Sequence, residues 1–365
     1  MNTSPESQTQ TQTQRSILVV VPALNEVSTI ESVIDRLCAE PPPPGSELRL
    51  VVADGGSSDG TIDLVQRLMQ DRPQLSLIHN PERIQSAAVN LAASTMGHGV
   101  QILVRCDAHA LYPAGYVNSL VQTLDRTGAD AVVVPMDSVG DTCLQRAIAW
   151  TSDTPLGSGG AAHRGGGQSG FIDHGHHAAF RMHSFRRAGG YDATYTHNED
   201  AELDCRQGAL GSRIFLDADI RLGYRPRATF RGLWKQYFSY GHGRARTVRR
   251  HRGSMRLRQA AVPTHLVLLV LALLVAPVLH TALLWPLFYL AVLAGFSLAM
   301  ALRQGSLCGL FCGPAAGVMH VSWACGFFWS LISTRERPWV AGEPPRHATA
   351  QVTDQRWVTL GSPPQ

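Results

Sequence analysis

Ser16-Ile17-Leu18-Val19-Val20-Val21-Pro22-Ala23-Leu24-Asn25-Glu26 and, some thirty residues later, Leu48-Arg49-Leu50-Val51-Val52-Ala53-Asp54-Gly55-Gly56-Ser57-Ser58-Asp59-Gly60-Thr61 decide the fold. Each is a short apolar run that stops at a polar turn. Residues 17–21 are apolar without alternation, the pattern of a strand buried on both faces. After the turn, Ile30, Val33, Ile34 and Leu37 recur at helical spacing, with Ser28 and Glu31 placed as a capping box. Residues 48–53 repeat the strand pattern, and Ile62, Val65, Leu68 and Met69 mark a second helix. Leu75–His79 reads as a third strand, 84–96 as a helix, and 100–105 as a fourth strand running into Cys106-Asp107-Ala108-His109.

Strand, turn and helix repeated in this way imply an α/β domain built on a parallel sheet with helices on both faces. Ligands of such sheets gather at the carboxyl ends of the strands. Asn25-Glu26, Asp54 and Asp107/His109 all fall there and point to one crevice. Further on, 131–135 reads as a strand, 157–170 as a glycine-rich mobile loop, and 178–180 as a short apolar segment before a helix. Gly189-Gly190-Tyr191-Asp192 makes a turn. His197-Asn198-Glu199-Asp200 then leads into a helix carrying Leu203, with strands over 213–216 and 220–223.

The chain of 365 residues has room for one large domain and an appendage. Its 44% apolar and 16% charged residues average two unlike parts. Residues 265–302 contain no Asp, Glu, Lys or Arg, and 307–333 are nearly as apolar. The first run divides into 265–282 and 284–302, each near the minimum length of a spanning helix; 307–332, with Gly and Pro, either spans or re-enters. Seven arginines, Arg244, Arg246, Arg249, Arg250, Arg252, Arg256 and Arg258, precede these runs. Elsewhere such a cluster suggests nucleic acid; here it reads as a cytoplasmic-side anchor at anionic membrane lipid, with no nucleic acid partner. Basic residues at 335, 337 and 346 favour the same side and an even number of spans.

Residues 2–14 are polar, without the apolar core of a signal peptide. The expected division is a disordered tail (1–15), a catalytic domain (16–250), a basic juxtamembrane segment (251–264), a membrane region of two or three helices (265–333) and a loosely ordered polar tail (334–365). The seven cysteines show no repeated spacing and are read as reduced.

Four groups of residues carry candidate chemistry. Asp107 and His109, two apart at a strand end, can hold a divalent cation that bridges a diphosphate, or can be a cap. Asp54 opens a glycine-rich turn and suits either a base and ribose or the turn itself. Glu199-Asp200 can take a proton from a sugar hydroxyl, or can simply favour a helix N-terminus. Residues 234–244 mix aromatics with polar groups, fit for sugar stacking or for a membrane interface.

Taken in order, strand-Pro22-Ala23-Leu24-Asn25-Glu26, Asp54-Gly55-Gly56-Ser57-Ser58-Asp59-Gly60-Thr61, Asn80-Pro81 with Arg83, Asp107-Ala108-His109, Asn198-Glu199-Asp200 and Gln236-Tyr237-Phe238-Ser239-Tyr240-Gly241 resemble the GT-A fold glycosyltransferases of family 2. Within it they are most similar to the succinoglycan-biosynthesis glucosyltransferase branch, which reads Asp-Ala-His in place of Asp-x-Asp. The resemblance covers roughly residues 16–250. It implies an inverting transfer of a hexose from a nucleotide diphosphate sugar, UDP-linked, to a lipid-linked saccharide at the bacterial cytoplasmic membrane. Pro22, Asn25 and Glu26 would border the nucleotide, Asp54 would hold the uracil, and Arg83 would lie near the base or phosphates. Asp107 and His109 would bind Mn²⁺ or Mg²⁺ and the diphosphate. Asp200 would be the catalytic base with Glu199 beside it. Gln236, Tyr237 and Tyr240 would face the acceptor or diphosphate, where other members carry a Gln-x-x-Arg-Trp segment that this chain lacks. That departure argues for single additions rather than polymerisation. A polyprenyl-phosphate sugar synthase and a non-catalytic nucleotide-sugar-binding scaffold are the competing readings. For His174, His176 and His177, a place on the acceptor side and a plain loop role stand level.

Overall fold

The structure is a computed structural model that describes residues 14–160, 164 and 167–343. The chain begins with β1 (Arg15–Ala23), α1 (Ile30–Cys38), β2 (Ser46–Asp54), α2 (Thr61–Gln70), β3 (Leu75–His79), α3 (Gln85–Thr95), β4 (Ile102–Arg105) and α4 (Tyr116–Thr127). There follow β5 (Ala131–Val133), β6 (Met136–Ser138), α5 (Cys143–Ser152), α6 (Pro155–Ser158), β7 (Gly170–Ile172), β8 (His177–Arg181) and α7 (Met182–Arg187). The remainder is α8 (Glu199–Ala209), β9 (Ile214–Leu216), β10 (Leu222–Tyr224), α9 (Phe230–Arg250), α10 (Leu257–Val275), α11 (Leu284–Arg303) and α12 (Cys312–Ser333).

Eight strands form one sheet in the order β3-β2-β1-β4-β8-β5-β9-β7. β1, at its centre, is buried on both faces, which is why its sequence does not alternate. Ile17, Val19 and Val21 pack with Ile34, Val65 and Leu120 on one face. Leu18 and Val20 pack with Val89, Phe185 and Leu203 on the other. β1 pairs in parallel with β2 and β4, and β2 with β3. The sheet is not wholly parallel, however. β8 runs antiparallel between β4 and β5, and β7 antiparallel beside β9. β7 and β8 share this reversed direction, so the chain turns relative to the other strands before β7.

Several local expectations are corrected. Residues 1–13 of the expected tail lie outside the described residues, but Arg15 already pairs with Ser46 in the sheet. The Ser28–Glu31 capping box does not form, because α1 starts at Ile30 with Thr29 as its cap. Thr29 instead donates its hydroxyl to Glu26 at 3.1 Å. In the glycine-rich stretch, 161–163, 165 and 166 lie outside the described residues, while Gly157 and Ser158 belong to α6. Two of the cysteines are not reduced. Folding brings α5 against the 3-10 turn Leu307–Phe311, and Cys143 is bonded there to Cys308 across 165 positions of sequence.

α10, α11 with its preceding turn, and α12 are each long and apolar enough to cross a membrane. α10 starts at Leu257, inside the basic segment. The three differ in surroundings: 44% of the apolar window of α12 is buried by protein, against 6% for α10. α12 runs beside α9 in the same direction. A side chain on Gly241 would meet the Trp323 carbonyl at 1.9 Å, and one on Gly326 the Phe238 carbonyl at 1.9 Å, so only glycine permits this approach. Ile148, Leu233, Ala315 and Met319 form one apolar cluster shared by α5, α9 and α12.

Arg244, Arg246 and Arg250 are buried, which corrects the reading of the whole cluster as a lipid anchor, while Arg252 and Arg256 remain exposed. Arg246 pairs with Glu336, Arg250 with Asp192 at 2.7 Å, and Arg249 donates to Ser330 at 2.9 and 3.0 Å. The tail therefore does not begin loosely at 334. Glu336 is fully buried in its ion pair, and Trp339 donates its backbone N–H to the Arg250 carbonyl at 2.9 Å. Residues from 344 onward lie outside the described residues.

Candidate active site

β1, β2 and β4 end at one edge of the sheet, and the turns that follow them are stitched together. Asn25, in the left-handed region at φ 58°, accepts the Ser58 backbone N–H at 2.9 Å. Its own N–H donates to the Ser57 hydroxyl at 2.8 Å. Asp54 is 2% exposed. One of its oxygens accepts the N–H groups of Gly56 and Ser57, both at 2.8 Å, and the other accepts the Ser57 hydroxyl at 2.6 Å. Asn25 and Asp54 thus shape the loop wall and do not line the space in front of it.

That space is a cleft of about 830 Å³, within the usual range for ligand sites. The cleft brings together Pro22, Glu26, Arg83, Asp107, His109, Glu199, Asp200, Gln236, Tyr237 and Tyr240, ten of the twelve residues singled out from sequence. Arg83 and Asn198, both on its wall, have left-handed backbones at φ 59° and 68°. Such conformations concentrate where structure holds a functional shape.

β4 ends at Arg105, and Asp107 and His109 sit in the turn beyond it rather than on a strand. Arg105 is buried at the focus of three carboxylates. It donates to Asp200 and stands 3.6 Å from Glu199 and 3.7 Å from Asp107. Asp107 also accepts from Gln85 and lies 3.6 Å from His176. Behind Asp200, the His177 ring meets it at 3.0 Å, Asp204 at 2.6 Å and the Tyr191 hydroxyl at 2.9 Å. His174 holds the other Asp204 oxygen at 2.7 Å. The three histidines are therefore not plain loop residues: His177 and His174 brace the acids, and His176 lines the cleft.

This network separates the acids electrically. Burial works against the charge of Asp200, but Arg105 and His177 outweigh it and hold its carboxyl well below the usual range. Glu199 is pushed up to about 7, by burial first and then by neighbouring Asp200. His177 is raised to about 10 because Asp204 and Asp200 overcome its burial, whereas burial lowers His176. Asp107 stays below its ordinary value, because Arg105, His176 and His109 prevail over burial.

Asp107 and His109 suit a divalent cation as a partial ligand set. Among the described residues no three His, Cys, Asp or Glu side chains form a closed cage. The Asp107 carboxylate faces the cleft, and Glu26 holds the Nδ1 of His109 at 2.9 Å, leaving Nε2 for a ligand. A carboxylate behind an imidazole is the usual support of a metal-binding histidine.

The floor comes from α9. Gln236 donates to the hydroxyls of Tyr224 at 2.8 Å and Tyr240 at 2.9 Å, with the Tyr237 ring 5.5 Å from that of Tyr240. Gln259 and Val262 of α10 and Met319, His320 and Trp323 of α12 complete the wall. Sequence reasoning missed Arg105, Gln85 and this contribution from the apolar helices. A charge closing an all-apolar strand was the available signal for Arg105; Gln85 had none.

The profile described as glycosyl transferase family 2 matches residues 18–189. The chain is 42% identical over 334 residues to the succinoglycan biosynthesis protein ExoA of Rhizobium meliloti (strain 1021), covering 89% of this chain and 98% of that one. Among solved structures, a mannosyltransferase from Pyrobaculum calidifontis, in complex with GDP-mannose and Mn²⁺, aligns at TM-score 0.55 and 22% identity over 89% of each chain, a likeness of fold. With near-complete coverage of that relative, a mostly parallel GT-A sheet and acids gathered at its strand ends, the chain belongs to glycosyltransferase family 2.

Proposed function

We propose that the enzyme moves one hexose, with inversion, from a UDP-linked donor to a lipid-linked saccharide at the cytoplasmic face of the bacterial inner membrane, in assembly of a succinoglycan-like exopolysaccharide. The observation that carries this reading is that one cleft has carboxylates at its centre and α10 and α12 in its wall. A water-borne acceptor needs no wall from apolar helices. The relative's name supports the pathway.

In this reading Pro22, Glu26 and Arg83 border the nucleotide, and Asn25 and Asp54 set the loop that meets the base. Asp107 and His109 hold Mn²⁺ or Mg²⁺. When bound there, the cation offsets charge on the departing diphosphate. Asp200, kept ionised by Arg105 and His177, takes the proton of the attacking hydroxyl. Gln236, Tyr237 and Tyr240 seat the acceptor sugar. A second assignment has a specific observation behind it: Glu199, raised to about 7, is the better proton acceptor at neutral pH.

The test is release of UDP and transfer of sugar by the purified full chain in detergent, across UDP- and GDP-sugars with Mn²⁺ or Mg²⁺. Metal-dependent turnover of one donor, lost in Asp107→Ala and Asp200→Asn, supports the transferase. Activity retained in Asp200→Asn but lost in Glu199→Gln makes Glu199 the base; activity retained in both points to an already ionised lipid phosphate as acceptor. Donor binding without turnover on any lipid-linked acceptor points to a scaffold.

A further inference from the structure

The last turns of α9 carry four arginines, and three of them are spent. Arg246, Arg249 and Arg250 are tied to Glu336, Ser330 and Asp192. Arg244 is different. It is only 9% exposed, lines the cleft, and makes neither a hydrogen bond nor an ion pair among the described residues. Its charged surroundings are chiefly of its own sign: Arg256 and Arg258. Asp204, the nearby acid, is occupied by His174 at 2.7 Å and His177 at 2.6 Å. Asp173 is occupied by Arg256 at 2.7 Å. The Cys205 thiol, pushed up to about 11 by burial, is neutral and supplies no counter-charge.

The side chain is set into the cleft wall with its nitrogens turned to the open space, and a guanidinium held there without a counter-charge suits an anion. Arg258 stands at the same end of the cleft. It reaches from the first turn of α10 to the Gly159 carbonyl at 2.7 Å and has no carboxylate partner among the described residues. Gln259 and Val262, further along α10, continue the wall. This end is therefore positive and adjoins the apolar helices. Asp107 and His109, which suit the donor, have other charged neighbours: Arg105 and His176 beside Asp107, and Glu26 beside His109.

We infer that Arg244 and Arg258 form a second anion subsite at the membrane end of the cleft, which takes the phosphate ester of the lipid that carries the acceptor sugar. The inference rests on the lipid-linked acceptor proposed above. Its function is positional: gripping the phosphate sets the sugar beyond it towards Glu199 and Asp200. Arginine suits this because its planar fork meets two phosphate oxygens at once.

The test uses farnesyl diphosphate as probe, titrated into the purified full chain in detergent with the donor site saturated by UDP and Mn²⁺. Wild type binds the probe with UDP present. Arg244→Gln weakens it by about tenfold or more, as loss of a charge-assisted contact does, while Arg244→Lys stays closer to wild type. Arg258→Gln, at a more exposed position, weakens it in the same direction and serves if Arg244→Gln does not fold. Equal probe binding by wild type and both glutamine variants overturns the inference. So does displacement of the probe by UDP, which makes it a donor-site ligand, or equal weakening of farnesol, which carries no phosphate. Displacement by phosphatidylglycerol but not phosphatidylcholine vesicles overturns the acceptor assignment in favour of a membrane headgroup. Failure of the underlying function reads differently: UDP then does not bind, whatever the probe does.

Discussion

Arg105 is the residue on which the site turns. It is 5% exposed and faces Asp107, Glu199 and Asp200 together. Removing one partner of a buried ion pair leaves the others uncompensated, at about 3–5 kcal/mol. Arg105→Met is expected to lower thermal stability by a loss of that order and to slow sugar transfer by about a hundredfold or more. Thermal unfolding and UDP release measure the two. The pH profile separates the two acids. Glu199 at about 7 stands above its ordinary 4.5, so the folded state holds a proton that the unfolded chain releases. Its contribution to stability is full below the ordinary value and is lost as pH rises through about 7. If Glu199 is the base, activity rises through that same region and Glu199→Gln removes the rising limb. If Asp200 is the base, no limb appears there, because its carboxyl is ionised well below the usual range, and Asp200→Asn is the inactive variant.

At the scale of elements, α9 has two tight neighbours. Gly241 faces α12, and a side chain on Gly243 would meet the His197 carbonyl at 2.4 Å, in the turn that presents Glu199 and Asp200. Gly241→Ala is expected to destabilise by about 1–3 kcal/mol through overpacking against the Trp323 backbone. Gly208→Ala, inside α8 with nothing within 4 Å of the added carbon, is expected to stabilise by about 0.4–1 kcal/mol. Thermal unfolding of the two variants side by side checks both. Much at this scale was legible in the sequence. β1, β2 and β3 are strands whose burial on one or both faces leaves a clear apolar record, and the acids follow the strands directly. β8 was legible only as a short apolar segment at 178–180, and neither its strand character nor its antiparallel direction was read, since so short an apolar run carries no arrow. The Cys143–Cys308 link and the ion pairs of Arg246 and Arg250 join residues remote in sequence, and no local period records such a contact. For the same reason a cluster of arginines looked like a surface.

At the scale of the whole molecule, both ends of α12 are tied to α5 and α9. Thr151 of α5 donates to the Cys312 carbonyl at 3.3 Å, and Arg249 of α9 meets Ser330. Residues 334–339 then return along α9. This arrangement predicts that only α10 and α11 form a spanning pair. Cysteines introduced at Arg252 and Val340 are expected to react with an impermeant thiol reagent from one side of sealed vesicles, and a cysteine at Val278 from the other. Labelling of Val340→Cys from the side of Val278→Cys would give α12 a full crossing.

The apolar cluster of Ile148, Leu233, Ala315 and Met319 has a consequence for dissecting this enzyme. The usual course with a tethered enzyme is to cut the tether and keep a soluble catalyst. Here there is no seam to cut: the helix that would be discarded closes the core beneath the floor on which Gln236 and Tyr240 stand. A chain ending after Arg250 would bare that surface and is expected to aggregate in place of turning over donor, a result that size-exclusion chromatography of the truncated protein would show. Attachment and catalysis are thus expected to be kept together or lost together.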